Sequence, residues 1–394
     1  KGCCAVCFKR LAARYEADFG RQDTGNVFAP CCGPTRENMY EPFLSGIKPY
    51  RRRSLMNFFQ EMAATLTTWM DALRHLGQSF PLARMGLDAL SVALPLAALL
   101  AFVGLNFMSA TARGLAVTRK RASFEKCARQ LALLGLLLGW ILLICGRVWL
   151  FFTQGSYTPD SPSDFMVEMS WVMLGLAVLF NSLYFALWKF LTKLPMLHVG
   201  VGAVSGIQAC IATAASLAAA RMLTALARPD ADMLTLGHIY VPGFGTPFWC
   251  AIFWSLPLML AVAGGMGAFW LVLRRNYDDY GRDHYNTMLP WCSTWARNAW
   301  AIFWVILLAS SVFDVQREWQ KETFTAMDAV LESAELLLWL VPALLWTLVA
   351  RSATPMRHKL TLLAALVLAV AVMLPFYLNI TEITLPVSMT DIVE

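Results

Sequence analysis

Charged side chains are scarce in this sequence. Only 15% of its 394 residues are Asp, Glu, Lys or Arg, against 58% that are hydrophobic, a balance that excludes both a disordered chain and ordinary soluble domains. Catalytic signatures are missing as well: there is no P-loop, no HExxH, no Ser/His/Asp elbow and no C-x-x-C-H haem-attachment run, so no self-sufficient catalytic centre can be read. In a soluble protein the net charge of +6 would suggest nucleic acid. In so apolar a chain it belongs to the basic loops of a membrane protein, and no nucleic-acid partner follows.

What the sequence has is long apolar runs. A hydrocarbon core of about 30 Å needs roughly 20 apolar residues of helix, and eight runs qualify: Ala89–Ala110, Leu131–Phe152, Trp171–Phe190, Val199–Leu223, Phe248–Leu273, Leu289–Phe313, Leu331–Ala350 and Leu360–Leu378. The runs are continuous, which points to helices rather than to barrel strands. The expected fold is an all-α polytopic transmembrane bundle of about eight spans over residues 89–378, ending in a short acidic tail at 379–394. The fourth run, with Gly200, Gly202, Gly206 and a series of alanines, is expected to be thin and central, since close packing in lipid relies on small side chains. Proline at 95, 257, 342 and 375 is expected to interrupt spans.

Lys and Arg collect in alternate connections. Arg113, Arg119, Lys120, Arg121, Lys126 and Arg129 follow the first run, Lys189 and Lys193 the third, Arg274, Arg275 and Arg282 the fifth, and Arg351, Arg357 and Lys359 the seventh. The positive-inside bias puts these loops in the cytoplasm and both termini outside, in a cytoplasmic-type (inner) membrane. Preceding the spans, residues 56–80 place Phe59, Met62, Leu66, Trp69, Met70 and Leu73 at three- and four-residue spacing, as in an amphipathic helix lying in the interface.

Residues 1–55 form a polar segment with five of the ten cysteines. Cys4 and Cys7 make a C-x-x-C that, with Cys31 and Cys32, is a candidate metal-binding set; disulfides and an appended segment without chemistry are the alternatives.

Ionisable groups inside spans are costly enough to be functional candidates. Arg147 lies within the second run, and Glu332 and Glu335 share one face of the seventh, so these three are a candidate substrate or proton path, with structural pairing or snorkelling as the plainer reading. Arg297 and Asn298 fall near the start of the sixth run and are expected at the interface. His198 and His358, at the same ends of their spans, are the candidate axial pair for haem b. The polar stretch Tyr277–Tyr285 is expected to be a solvated loop. Three functions compete: a membrane subunit of a multi-protein assembly, handling electrons or a quinone; a small-molecule or ion transporter using Arg147, Glu332 and Glu335; and a structural membrane protein without ligand. Lipid, and other membrane subunits, are the expected partners.

Overall fold

The computed structural model describes Thr68 and residues 81–153, 162–226, 247–278, 280–320 and 326–371. The chain divides into two units, Lys1–His75 and Leu76–Glu394. The interfacial helix expected at 56–80 and the cysteine segment both lie outside the described residues, Thr68 excepted.

The second unit is helical, and no strand occurs among its described residues. In chain order the helices are α1 (Pro81–Arg119), α2 (Ala122–Thr153), α3 (Pro162–Ala186), α4 (Pro195–Leu226), α5 (Pro247–Asp278), α6 (Arg282–Gln320), α7 (Ala326–Leu338), α8 (Val341–Arg351) and α9 (Lys359–Ala371). Seven stretches are long and apolar enough to cross a membrane. Six of them belong to α1–α6, and the seventh, Ser333–Arg351, joins the end of α7 to α8. The eighth expected run is present as α9, a shorter apolar helix, beyond which the residues are not described. The chain is an integral membrane protein with an all-α transmembrane bundle.

The centre of the bundle is α1, with α2 and α4 on one side and α5 on another; α3 bridges α2 and α4, while α6, α8 and α9 complete the α5 side. The small-residue helix α4 is therefore peripheral, contrary to expectation. Small residues permit close approach but do not decide which helix is surrounded. What α1 has instead is one glycine at a closest crossing: a methyl group on Gly104 would collide with the Met259 carbonyl of α5. Gly264 of α5 has the same relation to α6, where an added methyl would lie 2.7 Å from the Ala296 backbone nitrogen.

The prolines behave differently from one another. Pro95 and Pro257 sit inside continuous helices, whereas the seventh span breaks at Trp339–Leu340, leaving Pro342 in the first turn of α8, where its missing N–H costs nothing. The carbonyls exposed by this break are taken by tryptophans of α6: Trp300 Nε1 donates to the Trp339 oxygen at 2.7 Å and Trp304 Nε1 to the Leu336 oxygen at 2.8 Å. A freed backbone carbonyl in lipid has no water to turn to, so these indoles act as struts rather than as the walls of a ligand cleft. Trp346 is likewise buried, against Trp300.

Candidate functional site

Polar side chains gather at the end of the bundle where the basic connections lie. The first group follows from helical spacing in α1: Asn106, Ser109 and Arg113 are three and four residues apart and hence on one face, and all three are buried. The turn between α1 and α2 is tight, with Lys120 in the left-handed region at φ 52°. It brings Glu125 to Arg113, whose Nη1 lies 2.6 Å from the carboxylate. Arg113 is 4% exposed and Glu125 43%, so the cation of the pair is buried and its acid partly open.

Above that cation, α3 and α4 add a stack of rings. The Arg113 guanidinium lies 5.3 Å from the Trp188 ring centre, while His198 stacks on Tyr184 at 4.5 Å and meets Trp188 edge-on at 4.7 Å. The Tyr184 hydroxyl and Ser109 Oγ are 3.1 Å apart, and Ser109 donates to the Ala128 carbonyl at 2.7 Å. Ser205 donates to the Asn106 side-chain oxygen at 3.1 Å. Arg113 Nε, His198 Nδ1 and both polar atoms of the Asn181 amide are buried with no hydrogen-bond partner among the described residues.

A second network ties α2 to the α5–α6 connection. Gln130 Nε2 donates to Asp278 Oδ2 at 2.7 Å, and Arg274 grips the same carboxylate with Nε at 3.0 Å and Nη2 at 2.7 Å. The Gln130 side-chain oxygen is left facing His284 Nε2 at 3.2 Å. That amide orientation requires a proton on His284 Nε2. Trp270 Nε1 donates to the Gln130 carbonyl at 3.1 Å, and Lys126 Nζ sits 4.8 Å over Tyr280. The expected solvated loop is thus corrected in part: Tyr277 and Gly281–Asp283 are exposed, but His284 and Tyr285 are buried, where the turn at Gly281, with φ +86°, starts α6 beside α2.

This correction moves Arg297. With α6 beginning at Arg282 rather than near Leu289, Arg297 is not at an end. The adjacent Ala296 packs on Gly264, which stands midway along the apolar stretch Ile252–Asp278, roughly 20 Å from both ends at about 1.5 Å of rise per residue. Arg297 Nε and Nη2 donate to Asn298 Oδ1 at 2.9 and 2.8 Å. Asn298 is exposed and Arg297 partly so. Among the described residues it is the one charged side chain at mid-depth.

The other candidates are not brought together as expected. Arg147 Nη1 pairs with Glu168 of α3 at 2.7 Å, while Glu335 Oε1 accepts from Trp339 Nε1 at 3.1 Å; the side chain of Glu332 is not described. Glu168 escaped notice because it precedes the third apolar run, whereas α3 starts several residues earlier. His198 Nε2 lies 2.9 Å from the Tyr184 backbone carbonyl, and its helix packs on α1 and α3, whereas His358 precedes α9, which packs on α8 and α5. Cys4, Cys7, Cys31 and Cys32 lie outside the described residues, among which no group of three His, Cys, Asp or Glu is placed to hold a metal.

Asn106, Ser109, Gln130 and Tyr184 are absent from the sequence-based candidates, and Arg113, expected in a basic connection, is instead buried within α1. A signal for three of them was available, since a polar residue every third or fourth position in an apolar run marks a helix face turned inward. No protein-family model, curated protein or solved structure matches the chain.

Proposed function

We propose that this protein is a membrane-integral subunit of a larger assembly. One observation carries the reading: Arg297, partly exposed, stands midway along the apolar stretch of α6, and among the described residues its hydrogen bonds go only to the neighbouring Asn298. A guanidinium in hydrocarbon is unfavourable by about 3 kcal/mol or more unless it is paired or reaches water. An extended arginine side chain reaches about 7 Å, short of the roughly 15 Å to the headgroups from mid-depth. Lipid alone is therefore a poor surrounding for this face, and a protein neighbour is a good one. The basic end of the bundle is assigned to the cytoplasm of an inner membrane on the positive-inside bias.

Electron transfer through haem b gains no support from His198, whose Nε2 faces a backbone carbonyl. A quinone-handling role has no geometric counterpart in the two polar networks. Transport keeps one specific observation in its favour, the polar atoms of Arg113 on α1, Asn181 on α3 and His198 on α4 that are buried without a partner among the described residues, each of which suits a water or a small polar solute.

The test is extraction from native membranes in mild detergent, with the protein mass measured by light scattering. The expected result is a particle whose protein mass well exceeds the 43.9 kDa of one chain and contains other proteins in fixed ratio. A monodisperse, thermally stable single chain overturns the reading. Proteoliposomes that accumulate a solute only with wild type, and not with Asn181→Leu, would favour transport instead.

A further inference from the structure

We infer that α6 receives a transmembrane helix of a different protein, and that this helix carries a carboxylate facing Arg297. The inference rests on the subunit reading above and names the chemistry of the partner. Its seat is the exposed strip Asn298, Ala301, Ile302, Val305, Ala309 and Val312. These positions recur at three- and four-residue spacing, so they form one continuous face. The two alanines let a neighbouring backbone come close, the arrangement that membrane helices use in place of a hydrophobic drive.

Exposed apolar side chains do not by themselves require a protein on this face, because many other outward residues of the bundle, such as Ile144, Val204 and Ile207, are just as open. The charge does. Four described carboxylates of the spans are already engaged: Glu125 with Arg113, Glu168 with Arg147, Asp278 with Arg274 and Gln130, and Glu335 with the Trp339 indole. Each stands toward an end of its span, away from the middle.

A second copy of the chain is a poor occupant. A two-fold contact along this face would set two Arg297 guanidiniums against each other at one depth, where the low dielectric strengthens repulsion. A helix with Asp or Glu at its centre supplies the opposite charge and accepts both guanidinium nitrogens side by side. Asn298, released from Arg297, then offers its amide to the same neighbour.

Two experiments on the full chain decide this. In the first, a photo-crosslinking residue replaces Ile302 or Val305, with Val204 as the control site on α4, and the adducts formed in native membranes are sequenced. The expected adduct at α6 is an apolar segment of another protein with Asp or Glu near its middle, absent at the control site. Adducts to lipid only, to this chain or its copy, or to an apolar helix without a carboxylate overturn the inference. In the second, the labelled protein is placed in phosphatidylcholine vesicles with a leucine-rich transmembrane peptide bearing one central Glu, Gln or Leu, and association is read by energy transfer. The Glu peptide is expected to bind about tenfold more tightly than the Gln peptide, a difference of about 1.4 kcal/mol. The preference should disappear in Arg297→Gln and return in Arg297→Lys. Equal binding of the three peptides overturns the inference. A wild-type protein that proves monomeric defeats the subunit reading, whereas a stable assembly that shows no carboxylate at α6 defeats only the partner chemistry.

Discussion

His284 Nε2 reaches the side-chain oxygen of Gln130 at 3.2 Å across a separation of 154 residues. The contact fixes where α6 begins. Because Asp278 accepts from the other end of the same amide at 2.7 Å, one glutamine holds the end of α5 and the start of α6 together against α2. Everything further along α6, including the depth of Arg297, is set by that register.

Replacing Gln130 by Leu removes the donor to Asp278 and the acceptor for His284 while keeping the volume. Leaving buried polar groups without partners costs about 1–3 kcal/mol each. The expected outcome is a thermal transition in detergent several degrees below wild type, with earlier proteolysis at the α5–α6 connection. An unchanged transition would show that the network contributes nothing to holding the helices.

Arg113 and Arg147 make an internal comparison, since both pair with a glutamate but differ in exposure. Arg147 and Glu168 are 55% and 38% exposed, and exposed pairs contribute about 0–1 kcal/mol. Arg113 is 4% exposed, so removing Glu125 strands a buried cation, a loss of about 2–3 kcal/mol after allowing for the open side of Glu125. Glu125→Leu is expected to destabilise clearly, and Glu168→Leu hardly at all. The double variant Arg113→Leu/Glu125→Leu should lose less than the two single losses added together, and thermal unfolding of the four proteins checks all three statements.

Much of the architecture was readable because lipid imposes long apolar runs, and those runs become helices whatever their neighbours are. The ends of the helices were harder. Tyr277–Tyr285 looks like a wet loop by composition, yet Asp278 and His284 within it meet the side chain of Gln130, from a segment that no local pattern connects to them. The misplaced start of α6 then put Arg297 at an interface instead of at mid-depth. Depth alone sets Arg147 beside Glu332 and Glu335, whereas the packing of α2 on α3 brings Glu168 to it. The stripe Asn106, Ser109, Arg113 was legible in principle, because its spacing is that of one helix face and owes nothing to tertiary structure. Ending the first run at Ala110 separates only Arg113 from it.

Indole donors offer a test specific to the membrane setting. In Trp300→Phe and Trp304→Phe the ring remains, but the N–H that satisfies Trp339 or Leu336 is gone. The loss expected is about 1–2 kcal/mol for each carbonyl left bare. The measurable sign is faster amide hydrogen exchange around the α7–α8 break, with the remainder of the bundle unchanged. Exchange that stays at wild-type rates in both variants would mean the break is satisfied by other groups.

The closest helix crossings predict a graded glycine series. At Gly104 a methyl group meets the Met259 carbonyl, and at Gly264 it falls 2.7 Å from the Ala296 nitrogen and 2.9 Å from the Cys292 oxygen. These obstacles are backbone atoms, so relief requires α5 to move away from α1 or from α6. At Gly175 of α3 nothing lies within 4 Å, and a methyl group there meets only the surroundings. Alanine also favours a helix over glycine by about 1 kcal/mol, so Gly175→Ala is expected to be neutral or slightly stabilising. Gly104→Ala and Gly264→Ala should each cost more than helix propensity returns, about 1–3 kcal/mol as overpacking of a dense core, and they should lower the yield of folded protein in detergent. Two further readouts separate local from global damage. The α1–α5 and α5–α6 distances, measured between spin labels on the flanking turns, should lengthen in the respective variants. The Gln130–His284 contact, which lies at the end of α5 away from both glycines, should survive in Gly104→Ala, because that variant displaces α5 near its middle while Asp278 and Trp270 still anchor its end to Gln130 of α2.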